Sequence, residues 1–570
     1  MKKNKEIARI FNQIADALEY KGENVFRIVA YRKAARIIDE LTEDVAELVK
    51  NNSLKNLAGI GEGMAKKVEE YLKTGKMKKY FEATKDIPPA LLELLNIQNL
   101  GPKTLALANK HLGVKDLHDL KKRIEDGSLA RLPQMGEKKV ENIKKGIALY
   151  ERSHERLSIA VAEGIASGVI EYLKKNAPVS KISPAGSLRR WKETIGDIDI
   201  LITGKNHKKI VETFTHYPEA EQVLSAGETK SSLIVENGVQ VDIRIVDQKS
   251  YGAALQYFTG SKAHNVKLRS IAISKKWKLN EYGLFEEDKT IAGETEEDIY
   301  MALDLQWIPP ELREDRGEVE AALRKRLPKL VELTDIKGDL QMHSNYSDSP
   351  ATIADLALTA QRLGYEYILV TDHSQSARYA HGMEVERVYK QWQEIDDLNK
   401  KFKNFKILKG IEVDILADGR LDYPDRILKM FDMVIASIHQ GFSKNVTERV
   451  CSAMENPYVD IIGHPTGRLI SKREGYLIDI EKVIKKAAET KTYLECNAYP
   501  DRLDLNDLNL KRCKEFDVKI SIGTDAHGVD ELKWMKFGVA TCRRGWLEKD
   551  DVVNTYSVEE ILRKRKSNQK

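Results

Sequence analysis

The stretch SPAGSLRRWKETIGDIDILI, residues 183–202, decides the fold expected for the middle of this 570-residue chain. Its last seven residues, GDIDILI, alternate acidic and apolar side chains with the period of two that is typical of a β-strand. Asp197 and Asp199 should therefore lie on one face of a strand, with the isoleucines on the other. Two carboxylates on one exposed face are either ordinary solvated acids or part of a metal site.

A second predicted strand offers a third carboxylate. In VQVDIRI, residues 239–245, the same alternation buries the β-branched residues and projects Asp242 outward between Gln240 and Arg244. Three aspartates that converge from adjacent strands repel one another unless divalent cations lie between them, and two Mg²⁺ ions suit in-line phosphoryl transfer. The pattern predicts a nucleotidyl-transfer site with two Mg²⁺ ions.

The segment upstream of the first strand favours a metal site over solvated acids. Gly186 is expected to form a turn that opens a helix, and this helix begins with the hydroxyl of Ser187 and the guanidiniums of Arg189 and Arg190. Backbone N–H groups at the start of a helix and nearby guanidiniums both suit phosphate oxygens. A phosphate-bearing ligand is therefore expected beside the aspartates.

Residues 1 to about 150 are predicted to be helical and basic, with 29 Lys and Arg against 21 Asp and Glu. Three segments there, LAGIGEG, IQNLGPK and LPQMGEK, each place a glycine turn before a helix. Such turns point backbone N–H groups at phosphates, which is how helix-hairpin-helix motifs hold DNA without reading its sequence; the alternative is three ordinary interhelical turns. The predicted DNA contacts in this region are Gly59, Gly61, Gly63, Leu100, Gly101, Lys103, Gly136 and Lys138.

From residue 334 onward, apolar runs alternate with helix-length segments, and most runs end in a candidate metal ligand. This arrangement predicts a β/α barrel with its chemistry at the carboxyl ends of parallel strands. The runs are YILVTDH, KILKGIEVDI, MVIASIHQ, VDIIGHP, TYLECNAY and KISIGTDAH.

The candidate ligands in this part are too many for one ion. A cluster of two or three Zn²⁺, Mn²⁺ or Fe ions bridged by Glu412 is the natural inference, although any single histidine could be purely structural. The candidates are His343, Asp348, His373, Glu412, His439, His464, Asp525 and His527.

With these motifs in place, the front of the chain closely resembles the family X DNA polymerases, which include DNA polymerase beta. The GS-x-RR and GD-x-D motifs and the later aspartate occur in order, and the likeness continues through GETK at 227–230, YFTGS at 257–261 and NEYG at 280–283. The resemblance covers residues 1 to 315. It implies a DNA polymerase that fills short gaps in primed or gapped duplex DNA from deoxynucleoside triphosphates, in base excision or end-joining repair.

The resemblance also implies roles for individual residues. Asp197, Asp199 and Asp242 would hold the two Mg²⁺ ions, and Lys230 would contact DNA. The incoming nucleotide would be bound by Gly186, Ser187, Arg190, Tyr257, Phe258, Gly260, Asn265 and Arg269, with the aromatic pair against its sugar. Lys262 stands where DNA polymerase beta has an acid and Gln240 where it has an arginine, so nucleotide affinity and fidelity do not transfer.

The front domain resembles the lyase domain of DNA polymerase beta, and Lys67 falls at the position of the Schiff-base lysine. A nucleophilic lysine needs a lowered pKa, which a basic neighbourhood such as Lys66 and Lys67 favours. Gly63, however, replaces a phosphate-binding lysine of that pattern. Lys67 is therefore either a lyase nucleophile or a solvated surface charge.

The C-terminal part resembles the PHP (polymerase and histidinol phosphatase) domain, which follows family X polymerases in bacteria and archaea. The resemblance implies a metal-dependent phosphoesterase with 3′ to 5′ exonuclease activity, and abasic-site or 3′-phosphate processing. The family's opening His-x-His reads Gln341-Met342-His343 here. Gln341 offers only a neutral amide oxygen, so we expect one metal to bind more weakly or differently, with Asp339 as a substitute ligand.

Together these patterns predict a multidomain chain with helical helix-hairpin-helix domains, an α/β nucleotidyltransferase palm with a thumb, and a distorted β/α barrel. The expected divisions are 1–85 and 86–150 (helical, DNA-binding), 151–250 (palm), 251–315 (thumb), 316–333 (charged helix-like linker) and 334–570 (PHP barrel). No apolar window is long enough for a membrane span, and the four cysteines form no CxxC pair. We expect a cytoplasmic, nucleoid-associated monomer.

Two other functions stay open at this point. In one, the polymerase is active and the PHP barrel is a metal-stabilised structural module. In the other, the whole chain is a catalytically idle DNA-binding scaffold, which the intact trio of aspartates argues against.

Overall fold

The computed structural model describes residues 2–40, 45–51, 53–56, 60–95, 97, 99–133, 135–154 and 156–568. The N-terminal region is helical, as expected. α1 shows why it folds: Ile7, Phe11, Ile14 and Leu18 recur at helical spacing and are all buried. The helices are α1 Lys2–Tyr20, α2 Val25–Glu40, α3 Val45–Lys50, α4 Glu62–Thr74, α5 Lys78–Thr84, α6 Pro89–Leu94, α7 Pro102–Leu112, α8 Leu117–Glu125 and α9 Glu137–His154.

The buried apolar side chains of this region, from Ile7 to Ile147, form one continuous cluster. The contacts of α1 extend across the expected boundary at residue 85, because this helix packs against α2 and α5 before the boundary and against α7 after it. The two helical domains that were expected at 1–85 and 86–150 therefore share a core.

The next part of the chain folds around a five-stranded mixed sheet with the strand order β2-β4-β7-β6-β5. β4 and β7 form its parallel pair, and the other neighbours are antiparallel. The elements are β1 Leu157–Ser158, α10 Ile159–Asn176, β2 Val179–Pro184, α11 Gly186–Arg189, β3 Thr194–Ile195, β4 Ile198–Gly204, α12 His207–Thr215, β5 Ala220–Ala226, β6 Lys230–Val235 and β7 Val239–Ile245.

A smaller unit with its own core follows, built from four helices and a three-stranded antiparallel sheet. Its elements are α13 Tyr251–Thr259, α14 Lys262–Ser274, β8 Lys278–Asn280, β9 Gly283–Glu286, β10 Lys289–Ala292, α15 Glu296–Ala302 and α16 Glu318–Leu323. α16 lies in the segment that was expected to be a linker. Its Val319 and Ala322 are buried in this core, so the start of the segment is part of the folded unit.

The remaining residues form the predicted barrel of parallel strands, in which the seven strands follow one another in chain order. The strands are β11 Gly338–Asp339, β12 Tyr367–Val370, β13 Lys406–Asp414, β14 Met433–Ser437, β15 Ile461–Ile462, β16 Tyr493–Asn497 and β17 Ile520–Gly523. The helices are α17 Ile353–Arg362, α18 Val385–Asn399, α19 Asp425–Leu428, α20 Val446–Ala453, α21 Ile480–Thr490, α22 Asp507–Glu515, α23 Met535–Arg544 and α24 Val558–Arg563.

The segments just beyond the first and last strands close this barrel. The backbone N–H of Asp525 donates to the carbonyl of Gln341 (3.0 Å), and the N–H of His343 donates to the carbonyl of Ala526 (2.8 Å). Closure removes the two free edges of the sheet and brings the segments after β11 and β17 together. None of the helices in the described part of the chain has the length and apolar character needed to cross a membrane.

The barrel packs directly on the five-stranded-sheet unit. Leu503 and Phe537 of the barrel are buried in the core of that unit, and the Phe537 ring meets Trp191 edge-on with 6.1 Å between centroids. An ion pair between Lys536 and Glu163 (2.8 Å) flanks this contact. The interface therefore has an apolar centre with charged groups around it.

A buried ion cluster joins the sheet unit to the smaller unit. Arg189 of α11 donates two hydrogen bonds to the carboxylate of Glu296 (2.7 and 2.8 Å), and Arg313 donates two more (2.6 and 3.1 Å). Burial favours the neutral acid, but the charges of Arg313 and Arg189 outweigh it and hold the pKa of Glu296 far below its ordinary value. The carboxylate is therefore the counter-ion of two guanidiniums, of which Arg313 is fully buried.

Substitution of Glu296 with Gln should destabilise the protein strongly, because it leaves a buried guanidinium without a counter-ion. We expect a loss of about 3 to 5 kcal/mol in the free energy of unfolding. Urea denaturation followed by tryptophan fluorescence measures it, since Trp307 donates a hydrogen bond to Glu296 (3.2 Å). Asp397→Asn, which breaks an exposed pair with Lys400, should leave stability nearly unchanged; equal effects of the two variants would contradict this role.

Candidate active sites

The three predicted aspartates lie together at the parallel pair of strands β4 and β7. Asp199 and Asp242 are direct partners in the register of these strands, and Asp197 stands one residue before β4 begins. Burial and the negative charges of Asp197 and Asp242 raise the pKa of Asp199 to about 6. The carboxylates are therefore close enough to repel one another, which is the arrangement that a divalent cation relieves.

The face that carries these carboxylates is less exposed than the strand pattern suggested. Asp197 is exposed and Asp199 half-buried, but Asp242 is only 8% exposed. Leu201, on the same face, is buried in a cluster with Tyr251 and Ala254 of α13. Alternation along the strand identifies the correct face, but α13 covers part of it and turns the rest into a cleft.

Position 186 requires a glycine, because the turn that begins α11 passes close to β4 there. Its φ is +60°, and a Cβ at this position would lie 2.7 Å from the Oδ2 atom of Asp199. The backbone N–H of Ala185 also donates to the carbonyl of Asp199 (2.8 Å). The turn that begins α11, with Ser187 in its first positions, is therefore held against the aspartates, as expected.

Arg190 follows α11 and reaches toward the smaller unit. Its guanidinium donates to the carbonyl of Thr259 and to the carboxylate of Glu314 (3.1 Å). Gly260, next to this carbonyl, has a φ of +71°, and a Cβ there would lie 3.2 Å from the Arg190 guanidinium. Arg190 is therefore held where the sheet unit meets the smaller unit, beside the turn at Gly186.

The other predicted nucleotide-binding residues lie on α13 and α14. Tyr257 and Phe258 meet edge-on with 5.1 Å between ring centroids. Asn265 is buried, donates to the carbonyl of Tyr257 (2.7 Å), and accepts a hydrogen bond from Gln256 (2.7 Å). Arg269 is half-buried one turn further along α14.

Two polar neighbours of Asp242 complete this first site. Gln240 donates to the Oδ1 atom of Asp242 (2.8 Å), and the ammonium of Lys230 lies 3.6 Å from its Oδ2 atom. Arg244 lies over the ring of Phe258, 4.4 Å from its centroid. From the sequence, Gln240 and Arg244 were placed on either side of Asp242, and Gln240 was noted as a departure from DNA polymerase beta, but neither was given a role in the site. The strand alternation that puts all three on one face is the signal for their involvement.

The three glycine turns of the N-terminal region each lie directly before a helix. Gly61, Gly101 and Gly136 precede α4, α7 and α9, whereas Gly59 lies outside the described residues. At these three glycines no described atom lies within 4 Å of where a Cβ would be. The described fold therefore leaves open space at each turn, beside Gly63, Lys103 and Lys138 at the start of the same helices.

Lys67 lies on α4, partly covered by the surrounding helices. Its ammonium donates to the carbonyl of Gly63 (2.9 Å) and lies 5.8 Å from the centre of the Tyr31 ring. Burial and the charge of Lys79 lower the pKa of Lys67. Lys66, by contrast, pairs with Glu62 on the exposed surface, so it is Lys79 that supplies the basic neighbourhood.

At the second site, Glu412 lies at the centre of the predicted histidines. The carboxylate is 1% exposed, and four imidazole nitrogens lie around it. The nearest nitrogens are those of His464 (3.0 Å), His373 (3.2 Å), His439 (3.4 Å) and His343 (3.6 Å). Burial favours the neutral acid, but the imidazoles of His439 and His373 outweigh it and hold the pKa of Glu412 well below its ordinary range.

The remaining candidate ligands lie beside this centre. His343 also contacts Asp525, with 3.1 Å between Nε2 and Oδ1, and Asp348 lies 3.4 Å from Nε2 of His527 and 3.6 Å from Nε2 of His373. All eight predicted ligands are therefore brought together, since the closed barrel collects the ends of its strands. Within this cluster two sets are compact enough to hold an ion, namely His343, Asp348, His373 and His527, and His373, Glu412 and His439.

The chemistry of these residues fits divalent cations. The Nδ1 atoms of His343 and His464 are buried and form no hydrogen bond with any described residue, which is costly for a polar atom unless a ligand supplies the partner. The Nδ1 atom of His373 also lacks a hydrogen bond, although it is the nitrogen that lies 3.2 Å from Glu412. His439 shows the opposite arrangement, because its Nδ1 contacts Asp414 (2.7 Å) while its Nε2 faces Glu412. A carboxylate behind a histidine in this way orients the other ring nitrogen toward a metal.

Asp339 does not take the place that Gln341 leaves. Its carboxylate accepts hydrogen bonds from the hydroxyl (2.5 Å) and the backbone N–H (3.0 Å) of Thr524, and burial raises its pKa to about 7. The substitution was expected because Asp339 is an acid two residues before Gln341, but Thr524 engages both of its oxygens. The Gln341 amide faces the carboxylate of Glu495, to which its nitrogen donates when the amide is rotated by 180°.

Several residues around the second site were not identified from the sequence. Asp414 and Asp372 could have been, because each is an acid at the end of a strand that already carries a predicted ligand. Glu495 accepts a hydrogen bond from the backbone N–H of His464 (2.5 Å). Arg502, 3.4 Å from Asp525, lies in an irregular segment where no pattern indicates it.

Three family models match the chain. A helix-hairpin-helix domain matches residues 2–77, a DNA polymerase beta thumb matches residues 254–314, and a PHP domain matches residues 339–499. These matches confirm the expected helix-hairpin-helix, thumb and PHP domains.

Curated relatives match parts or nearly all of the chain. A probable phosphatase from Thermoanaerobacter sp. (strain X514) is 32% identical over 234 residues, which cover 38% of this chain and 89% of the relative. DNA polymerase lambda from Arabidopsis thaliana is 27% identical over 348 residues, which cover 54% of this chain and 62% of the relative. The DNA polymerase/3′-5′ exonuclease PolX of Bacillus subtilis (strain 168) is 40% identical over 566 residues, which cover 98% of both chains. The chain therefore belongs to the PolX family, the family X DNA polymerases that carry a C-terminal PHP domain.

Proposed function

We propose that this protein is a DNA polymerase with its own 3′ to 5′ exonuclease, and that it fills short gaps during DNA repair. The observation that carries the proposal is the coexistence of two separate carboxylate-centred sites in one chain. Asp199 and Asp242 face each other on β4 and β7, and four histidines surround Glu412 in the barrel. Synthesis and removal of nucleotides each need such a site.

In the polymerase site, Asp197, Asp199 and Asp242 would hold two Mg²⁺ ions. When bound, the ions lower the barrier to attack by a primer 3′-hydroxyl and neutralise the charge of the departing pyrophosphate. The chain's own residues would supply the rest: Ser187 and the turn at Gly186 would bind the triphosphate oxygens, and the Arg190 guanidinium would place a positive charge beside them.

The residues of α13 and α14 would select the nucleotide. Tyr257 and Phe258 form a rigid aromatic pair that would pack against the sugar and exclude a ribose hydroxyl. Asn265 donates a hydrogen bond to the carbonyl of Tyr257, so its position is tied to that of the aromatic pair. Arg269 lies one turn further along the same helix. Both would contact the nascent base pair.

The glycine turns would bind the DNA backbone. The open space at Gly61, Gly101 and Gly136 suits close approach of a phosphate to backbone N–H groups, and the basic excess of residues 1–150 supports this without sequence preference. Lys103, Lys138 and Lys230 would add phosphate contacts. The partners would thus be gapped or primed duplex DNA and deoxynucleoside triphosphates, bound by a monomer in the nucleoid of the cytoplasm.

In the barrel, the eight clustered ligands would hold two or three Mn²⁺ or Zn²⁺ ions around Glu412. When bound, such ions activate water for attack on a phosphodiester. The buried imidazole nitrogens that form no hydrogen bond favour a metal-loaded, working site over a purely structural barrel. The substrate would be the 3′-terminal nucleotide of a DNA strand, and abasic sites or 3′-phosphates would be handled by the same chemistry.

Separate substitutions in the two sites should abolish one activity each. On a gapped duplex with Mg²⁺ or Mn²⁺, we expect Asp242→Ala to reduce primer extension by at least about a thousandfold, because it removes a shared metal ligand. His439→Ala should reduce 3′ to 5′ degradation by a similar factor and leave extension intact. If His439→Ala leaves degradation unchanged, the barrel is structural, and if wild-type protein extends no primer, the polymerase assignment is wrong.

A lyase activity at Lys67 is a second candidate, favoured by the lowered pKa of this lysine. Borohydride should trap wild-type protein covalently on an incised abasic substrate, since reduction fixes a Schiff base formed by a neutral amine. Lys67→Ala should lose the trapped product, whereas Lys66→Ala should retain it. Trapping that is absent in the wild type, or that survives Lys67→Ala, would end the candidacy.

A further inference from the structure

Arg544, the last residue of α23 in the barrel, reaches out of the barrel to the residue that we assign to triphosphate binding. It is 5% exposed. Its NH1 nitrogen donates to the backbone carbonyl of Arg190 (2.7 Å) and to the carboxylate of Glu314 (3.1 Å). Its NH2 nitrogen donates to Asp507 of the barrel (2.6 Å). One guanidinium therefore connects three parts of the chain.

Glu314 receives both arginines on the same oxygen atom. The Nε nitrogen of Arg190 donates to Oε1 of Glu314 (3.1 Å), and Oε1 is also the acceptor for Arg544. Burial alone would raise the pKa of Glu314, but the charges of Arg190 and Arg544 outweigh it and lower the pKa. Asp507, Arg544, Glu314 and Arg190 thus form a row of alternating charges from the barrel to the polymerase site.

This row fixes Arg190 in two ways. The hydrogen bond to the Arg190 carbonyl holds the backbone just after α11, and the shared carboxylate divides its charge between two guanidiniums. Without Arg544, the Glu314 carboxylate would pair with Arg190 and not with both arginines. The attraction between Glu314 and the Arg190 guanidinium would then be stronger, and the guanidinium would be less available to a phosphate. The Phe537 contact with Trp191 anchors the same helix beside the same turn, so α23 is well placed to act as a rigid support.

We propose that Arg544 of the PHP barrel is a positioning residue of the polymerase site, which orients Arg190 and keeps its guanidinium available to the incoming triphosphate. The inference rests on the proposed polymerase function. It makes the barrel part of the nucleotide-binding apparatus in addition to its nuclease role.

Steady-state single-nucleotide gap filling by the full chain tests this proposal. We expect Arg544→Met to raise the KM for the deoxynucleoside triphosphate by about tenfold, the scale of one charge-assisted hydrogen bond, with kcat changed by less than about threefold. Arg544→Lys, which keeps the charge but loses the forked contact, should give an intermediate KM. The barrel's exonuclease activity should stay near the wild-type rate, which shows that the variants are folded.

Arg543→Met is the matched control. Arg543 lies next to Arg544 on α23 and also crosses the interface, but it contacts Glu311 (2.7 Å) and the carbonyl of Val331 (3.0 Å). Both Arg543→Met and Arg544→Met remove a contact across the interface, so both should lower the melting temperature to a similar extent. Only Arg544→Met should also raise the KM for the deoxynucleoside triphosphate.

Glu314→Gln adds a second, independent measurement. If Arg544 acts through the shared carboxylate, the KM effects of Arg544→Met and Glu314→Gln will not multiply in the double variant. An unchanged KM in Arg544→Lys and Arg544→Met, or multiplying effects in the double variant, would overturn the proposal. If Arg544→Met fails to fold, the KM of Arg544→Lys decides alone. Wild-type protein that fills no gap would refute the polymerase function itself, which is a distinct outcome.

Discussion

The pairing of Asp199 with Asp242 across the parallel strands β4 and β7 is the constraint on which the polymerase site depends. Two buried or half-buried carboxylates in direct register, with Asp197 at the mouth, are unfavourable by themselves, as the raised pKa of Asp199 shows. Apolar packing on the opposite sheet face holds them there, and Gly186 lets the turn before α11 approach Asp199 without a clash. The fold therefore maintains a repulsion between carboxylates that divalent cations would relieve.

In the barrel the central carboxylate is surrounded by imidazoles and not by other carboxylates. Glu412 lies under four imidazoles, so the carboxylate is paired, but three of these histidines keep a buried ring nitrogen without a hydrogen bond to described residues. Closure of the barrel through Gln341, His343 and the segment after β17 brings the ligands from distant parts of the sequence to one end. Gln341, at the position where we expected a weaker or different ligand, faces Glu495 instead and donates to it when its amide is rotated by 180°.

Much of this arrangement was predictable from sequence, for reasons that differ between residues. Alternation in GDIDILI and VQVDIRI placed the aspartates on one face, and the rule that parallel strands end together gathered the barrel ligands. Alternation could not show that α13 covers Leu201 and narrows the cleft, since that depends on packing between units. Nor could sequence show that Thr524 engages Asp339, or that Arg189 and Arg190 meet Glu296 and Glu314, because these partners are far apart in the chain and no local pattern links them.

The contacts of Arg190 and Arg544 join the barrel to the polymerase part of the chain, but the polymerase site depends first on the three aspartates. The most direct test is a crystal structure of the full chain with gapped DNA, Mg²⁺ and a non-hydrolysable deoxynucleoside triphosphate. We predict two ions about 3.5 to 4 Å apart, with oxygens of Asp197, Asp199 and Asp242 among their ligands and the triphosphate beside Gly186. Ions bound elsewhere, or a nucleotide bound while Asp199 or Asp242 points out of the cleft, would contradict the account.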